Sequence, residues 1–172
     1  IWRVFWYQAP VAAGSSGKYG PAPHGGAVRS APPPADWAQP EFDHRHWGFR
    51  KDVFGGQGSG GAWTVAGICL RARFAVTDPA RVKGLRLSLS YRGGAVAYVN
   101  GVETARAQLP AGPLAPETLA QDYPIEAFMR PDGSAPLPPS HEAQAKEFEP
   151  RYQLRVRSLT AEVPPGVLRR GT

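Results

Sequence analysis

The chain has 172 residues, a length that fits one domain able to bury a real core, and its 20 Gly and 19 Pro exclude a helical bundle in favour of a β-rich domain with long connections. Its formal net charge is +6, yet sixteen of the twenty basic residues are dispersed arginines with no run longer than Arg169–Arg170, which argues against the clustered charge of a nucleic-acid binder. Cys69 is the single cysteine, so an intrachain disulfide and a cysteine zinc site are excluded, and no stretch reaches the roughly 20 apolar residues of a membrane span.

The chain opens at Ile1 rather than Met, which points to a processed product or a fragment whose targeting signal is out of view. "IWRVFWYQ" predicts a strand with Trp2, Val4 and Trp6 on one face and Ile1, Phe5 and Tyr7 on the other, covered on both sides or lying at an interface. Residues 9–35 are dominated by Gly and Pro and read as a long loop or linker, so residues 1–36 form a leading strand and linker ahead of a domain over 37–172. In "DWAQPEFDHRHWGFRKDVFGGQGSGGAW" the irregularly spaced Trp37, Phe42, Trp47, Phe49, Phe54 and Trp63 suit loop anchors inserted into a core. "GGQGSGG" has neither the Lys of a phosphate-binding loop nor the flanking strand and helix of a nucleophile turn, and is a flexible connection.

From Leu70 the hydrophobic period becomes two. Leu70, Ala72, Phe74 and Val76 predict one half-buried strand; Leu85, Leu87, Leu89 and Tyr91 predict a second; "AVAYV" predicts a third, apolar on both faces and therefore central. Gly93-Gly94 and Asn100-Gly101 are the turns between them and on into "VETAR", which predicts an antiparallel meander. Cys69 sits in an apolar run as a buried, inert thiol. Residues 107–147 are a second long excursion with one short helix over 116–121, where Pro116 and Glu117 suit a first turn. Tyr152, Leu154 and Val156 alternate as a last strand, and "PPGVLRRGT" turns the chain at Gly171.

No catalytic constellation emerges from these residues, and a non-catalytic module is expected. His44 and His46, two apart beside Asp43, could point the same way as a metal pair, but no third ligand stands at a recognisable spacing, so neither metal nor cofactor is expected. His24 and His141 lie in loops without an evident carboxylate partner. Glu103, Glu117, Asp122 and Glu126 are acidic, but nothing in their spacing sets the separation that glycoside hydrolysis requires. A sugar site needs flat aromatic faces and planar polar groups, and Trp37, Trp47, Trp63, Arg71, Arg73 and Asp43 have that chemistry, with Tyr98 beside them as a further candidate. The competing reading is that the tryptophans tie loops onto the domain and that Tyr98 buries its ring. Asn100 and Gly101 suit the two central positions of a type I′ turn, a structural role.

"DWAQPEFDHRHW", "LRARFAV" and "LRLSLSYRGGAVAYVNGVETAR" together resemble the galactose-binding-like domain of secreted bacterial proteins, over about 37–172. The resemblance implies an all-β, antiparallel jelly-roll β-sandwich with long Pro/Gly-rich loops. It also implies that Trp37 and Trp47 are structural and that Asp43 is a local loop or cap residue. In that family a further strand follows the "PPGVLRRGT"-like turn, so the sandwich is expected to lack its last strand or to receive it from another segment, with Ile1–Gln8 as candidate filler within or between molecules. The function implied is a non-catalytic carbohydrate-binding or accessory module of a secreted or cell-surface bacterial protein; the alternative is an assembly module completed by strand addition from a neighbouring domain or chain. The scaffold carries different sugars or none across the family, so it does not name the ligand.

Overall fold

A computed structural model describes residues 2–8, 30–50, 65–138 and 143–171. Among the described residues, seven strands form three antiparallel sheets, joined by connections with short helical turns. The first sheet has strand β1 (Trp2–Gln8) at its centre, flanked by β2 (Gly48–Arg50) and β3 (Val65–Arg71). The expected strand at the N-terminus therefore pairs on both edges, opposite Arg50 to Gly48 on one side and Arg71 to Val65 on the other. Period two places Trp2, Val4 and Trp6 on the face shared with Ile68 and Leu70, and Arg3, Phe5 and Tyr7 on the face shared with Cys69 and Arg71.

The second sheet pairs β4 (Leu85–Tyr91) with β7 (Arg157–Val163). Leu85, Leu87 and Leu89 face Val163, Ala161 and Leu159, whereas Arg86 faces Glu162 and Ser88 faces Thr160, so each strand alternates half-buried and exposed. The third sheet is the hairpin of β5 (Ala95–Val99) and β6 (Val102–Ala107), closed by Asn100-Gly101. A bulge between Ala97 and Tyr98 is bridged by Thr104 Oγ1, which donates to the Ala97 carbonyl at 3.1 Å. β6 also lies beside β7.

Several expectations are corrected. The three strands from Leu85 to Arg106 are not a meander, because β4 pairs with the distant β7 and only β5 and β6 form a hairpin. The reason lies at Gly93-Gly94. Gly93 has φ 80, its N–H donates to the Tyr123 hydroxyl and its carbonyl accepts from Arg157 Nη1 at 2.7 Å, while Leu109 packs where a Cβ on Gly94 would stand. Held by β7 and by the 109–123 excursion, this glycine pair redirects the chain between sheets instead of closing a hairpin. β5 pairs only with β6 among the described strands, so it is not central.

The strand expected over 70–76 starts earlier and ends at Arg71; Val76 instead makes an isolated antiparallel bridge with Gly171. No helix forms over 116–121, where Thr118 N–H closes a turn on the Ala115 carbonyl at 2.9 Å. The strand expected over Tyr152–Val156 is a helical turn, α1 (Glu149–Gln153), preceded by a 3-10 stretch, Ala143–Phe148. Phe148 and Tyr152 are buried four residues apart on one side of this turn with Leu137 against them, and the Tyr152 hydroxyl donates to the Pro138 carbonyl at 2.6 Å. Leu154 and Val156 are exposed, so the apparent period of two marked no buried face.

Candidate functional site

The loop 35–47 carries Trp37, Asp43 and Trp47 of the predicted site residues and is laid onto one face of the first sheet. Successive turns compact it: Trp37 N–H donates to the Pro34 carbonyl at 3.0 Å, Gln39 to Asp36 at 2.8 Å, Phe42 to Gln39 at 3.2 Å and Trp47 to His44 at 3.0 Å. Trp47, only 5% exposed, is the hub, with ring centroids 5.2 Å from Phe5, 5.5 Å from Phe42 and 6.2 Å from Trp37. Trp37 in turn meets Tyr98 edge-on at 5.8 Å, which ties the loop to the β5–β6 hairpin. Both tryptophans join the loop to the sheets.

Arginines fasten the loop's carbonyl groups. Arg71 Nη2 donates to the Gln39 carbonyl at 2.9 Å, Nη1 donates to the Trp37 carbonyl, and Nε donates to His44 Nδ1 at 3.0 Å. Arg73 reaches the Pro40 carbonyl at 3.3 Å, and Arg3 reaches the carbonyls of Arg45 at 3.2 Å and Trp47 at 3.1 Å while lying over the Phe49 ring. A backbone run without a sheet partner leaves its carbonyls unsatisfied, and a guanidinium with five donors can serve two or three of them at once. His44 must accept at Nδ1 to hold Arg71. Burial first, then the positive charge of Arg71, Arg73 and Arg3, pushes its pKa below the usual histidine value, which keeps that nitrogen free.

Asp43 accepts from the Arg45 backbone N–H at 3.0 Å and from its guanidinium at 2.7 Å. These bonds hold its carboxyl well below the usual carboxylate range. Both contacts are local, from Asp43 to the residue two positions on. His46 is exposed while His44 turns to Arg71, so the two histidines do not converge, and no group of three metal-ligating side chains occurs among the described residues. Tyr98 packs its ring on Trp37; burial, then the nearby Glu103 carboxylate, raises its phenol above the usual value. Glu103 itself is gripped by both ends of the Arg106 fork, at 2.7 Å each, and stays ionised. Burial pushes the Cys69 thiol up to about 12, which makes it unreactive at neutral pH.

Asn100 has φ 50 and Gly101 φ 82, the positive values of a type I′ turn. Asn100 also donates through Nδ2 to the Val167 carbonyl at 2.7 Å, a tertiary bond that its turn role did not foretell. Trp63, His24 and His141, with the "GGQGSGG" stretch and the residues of the leading linker before Ser30, lie outside the described residues. The structure thus brings Arg71, Arg73, Trp37, Trp47 and Tyr98 into one region, with their polar groups turned mainly onto the protein's own backbone.

A second arginine–aromatic cluster escaped sequence reasoning. Arg155 lies over Phe128 at 4.6 Å and Tyr152 at 5.3 Å and donates twice to the Ala127 carbonyl, at 2.8 and 2.5 Å. Arg157 lies 4.0 Å over Tyr123 and donates to the Gly93, Gln121 and Asp122 carbonyls. Nearby, Ile125, Met129 and Pro131, with Arg130, Arg151 and Asp132, line an open cleft of about 410 Å³. The other feature missed is exposure: Trp2 is 41% and Trp6 47% exposed on their shared face of β1, while Val4 between them is 4% exposed. Their alternation was legible, but whether the face is open depends on what packs against it.

Fold and site together define a β-rich protein with antiparallel sheets, whose aromatic loop is fastened by arginine. No helix among the described residues is long and apolar enough to cross a membrane. Comparison with known proteins finds no matching family model, no curated protein similar in sequence and no solved structure similar in fold.

Proposed function

We propose that the chain is a non-catalytic binding module, a galactose-binding-like jelly-roll domain of a secreted or cell-surface bacterial protein, and that its ligand is a saccharide. The observation that carries this reading is the pair of half-exposed indoles, Trp2 and Trp6, on one face of β1 beside the exposed Ile68. Four residue steps along the strand separate them by roughly 13 Å, so an oligosaccharide lying along β1 meets both rings with the C–H faces of different sugars. The resemblance of residues 37–172 supplies the rest of the reading. Arg71, Arg73 and Asp43 serve the loop in this proposal, and the rings of β1 make the contact.

A glycan array followed by calorimetry tests it. Binding of a β-linked or α-linked oligosaccharide is expected, with a loss of at least about tenfold in affinity in Trp2→Ala and Trp6→Ala, equivalent to some 1.4 kcal/mol each. An array without a hit, together with unchanged affinity of any weak ligand in both variants, overturns the reading.

A further inference from the structure

We propose that Asn100-Gly101 is a self-modification site gated by the fold: while the turn is closed its side-chain amide is kept from ring closure, and once it opens Asn100 loses ammonia and the carboxylate left behind keeps the closing turn from returning. Asn100 is the single asparagine of the chain, and a glycine follows it. Without a Cβ beside it, the Gly101 nitrogen is poorly shielded from the side chain that precedes it. In the reaction the Gly101 N–H gives its proton to hydroxide and the nitrogen bonds to Asn100 Cγ. The Cγ–Nδ2 bond breaks as Nδ2 takes a proton from water and leaves as ammonia. Water then adds to either carbonyl of the five-membered imide, which opens to an aspartate or an isoaspartate.

Three segments hold the reacting atoms apart. The Nδ2 that must leave donates to the Val167 carbonyl at 2.7 Å, which pins the amide toward the closing turn. Asn100 and Gly101 have φ 50 and φ 82, and the Val99–Val102 pair ties the two ends of the turn, so rotating the peptide to bring its nitrogen over Cγ opens the hairpin. The Gln39 side chain lies where a Cβ on Gly101 would stand, and the Gln39 carbonyl is itself held by Arg71 Nη2 at 2.9 Å. The hairpin, the loop 35–47 and the closing turn thus meet at this half-buried dipeptide.

The step is one-way because it inverts the bond. The amide nitrogen donates, whereas both oxygens of a carboxylate accept, and an acceptor set against the Val167 carbonyl repels it. Val167 is followed by the buried Leu168 and, four residues on, by Gly171, which exchanges main-chain bonds with Val76 at 2.8 and 3.0 Å. Release of Val167 therefore loosens the stretch that ends in the Val76–Gly171 pair. The proposal is independent of the saccharide reading.

Peptide mapping by mass spectrometry tests it, on protein held in mildly alkaline buffer with and without guanidinium chloride. Conversion at Asn100, read as the mass gain from amide to acid, is expected to be at least about tenfold slower in the folded protein than in the denaturant. Isomerisation at Asp132-Gly133 changes no mass and is not counted. Leu168→Ala, which hollows the packing beside Val167, is expected to speed conversion in buffer while its circular dichroism stays that of the parent. Asn100→Asp installs the product, and is expected to speed amide exchange at Val76 and Gly171 by at least about tenfold while the amides paired between β4 and β7 keep their protection. Equal rates with and without denaturant, or a folded Leu168→Ala protein converting no faster than the parent, overturn the gate. Unchanged exchange at Val76 and Gly171 in Asn100→Asp overturns the one-way step.

Discussion

Asn100 shows how one side chain serves two structures. Its positive φ closes the β5–β6 hairpin, and its amide holds the Val167 carbonyl on the chain's closing turn. The two contributions separate by substitution. Asn100→Gly keeps the turn and loses the bond, and is expected to cost about 1 kcal/mol; Asn100→Ala loses both and is expected to cost about 2 kcal/mol or more. Urea denaturation of the two variants beside the parent measures the difference, and equal costs would assign the whole effect to the Val167 bond. The turn role was legible in the dipeptide itself. The bond to Val167 was not, because 67 residues of chain separate the partners.

At the scale of an element, the loop 35–47 depends on a neutral imidazole. His44 accepts from Arg71 only while Nδ1 carries no proton, and its pKa in the folded protein lies below the ordinary histidine value. The unfolded chain therefore takes up the proton first as pH falls. The stabilisation is complete above the ordinary histidine value of about 6.5 and is lost progressively as the pH drops from there through the lowered folded value. His44→Gln supplies an acceptor that does not titrate. Chemical denaturation at neutral pH and at about pH 5 is expected to show a larger loss for the parent than for the variant, and parallel losses would remove His44 from the account. That the aromatics of this loop anchor it was legible from their irregular spacing. Which cations hold the loop was not, since Arg3, Arg71 and Arg73 look like ordinary exposed strand residues until the loop is laid over them.

For the whole molecule, the arginines bear on stability in an unusual way. Arg3, Arg71, Arg73, Arg106, Arg151, Arg155 and Arg157 all donate to backbone carbonyls, and the residues they hold belong to connections rather than to sheets. The described ion pairs, by contrast, are largely solvent-facing, as at Arg45–Asp43, Arg86–Glu162 and Arg169–Glu41. Screening weakens such pairs, but it also relieves the self-repulsion of a chain at +6 and leaves bonds to neutral carbonyls nearly untouched. Thermal unfolding is therefore expected at the same or a higher temperature when sodium chloride is raised from low salt to about 1 M. A clear fall in Tm would mean that the ion pairs matter more than the carbonyl contacts. Replacing Arg155 by Lys, which cannot fork to Ala127 or stack equally on Phe128 and Tyr152, is expected to cost about 1–2 kcal/mol at any ionic strength.

The amino-acid sequence by itself determined the β-rich class, the leading strand, the alternation of β4, the Asn-Gly turn and the burial of Cys69, because period and turn chemistry act over a few neighbouring residues. The tertiary structure alone decided that β4 pairs with β7, that β5 ends a run, that Tyr152 belongs to a helical turn and that dispersed arginines are fastenings. Each of these depends on which partner lies opposite. A strand's pattern states what its face needs, but the choice between partners is made by packing across tens of residues, and here by a glycine pair that turns the chain away from its nearest neighbour.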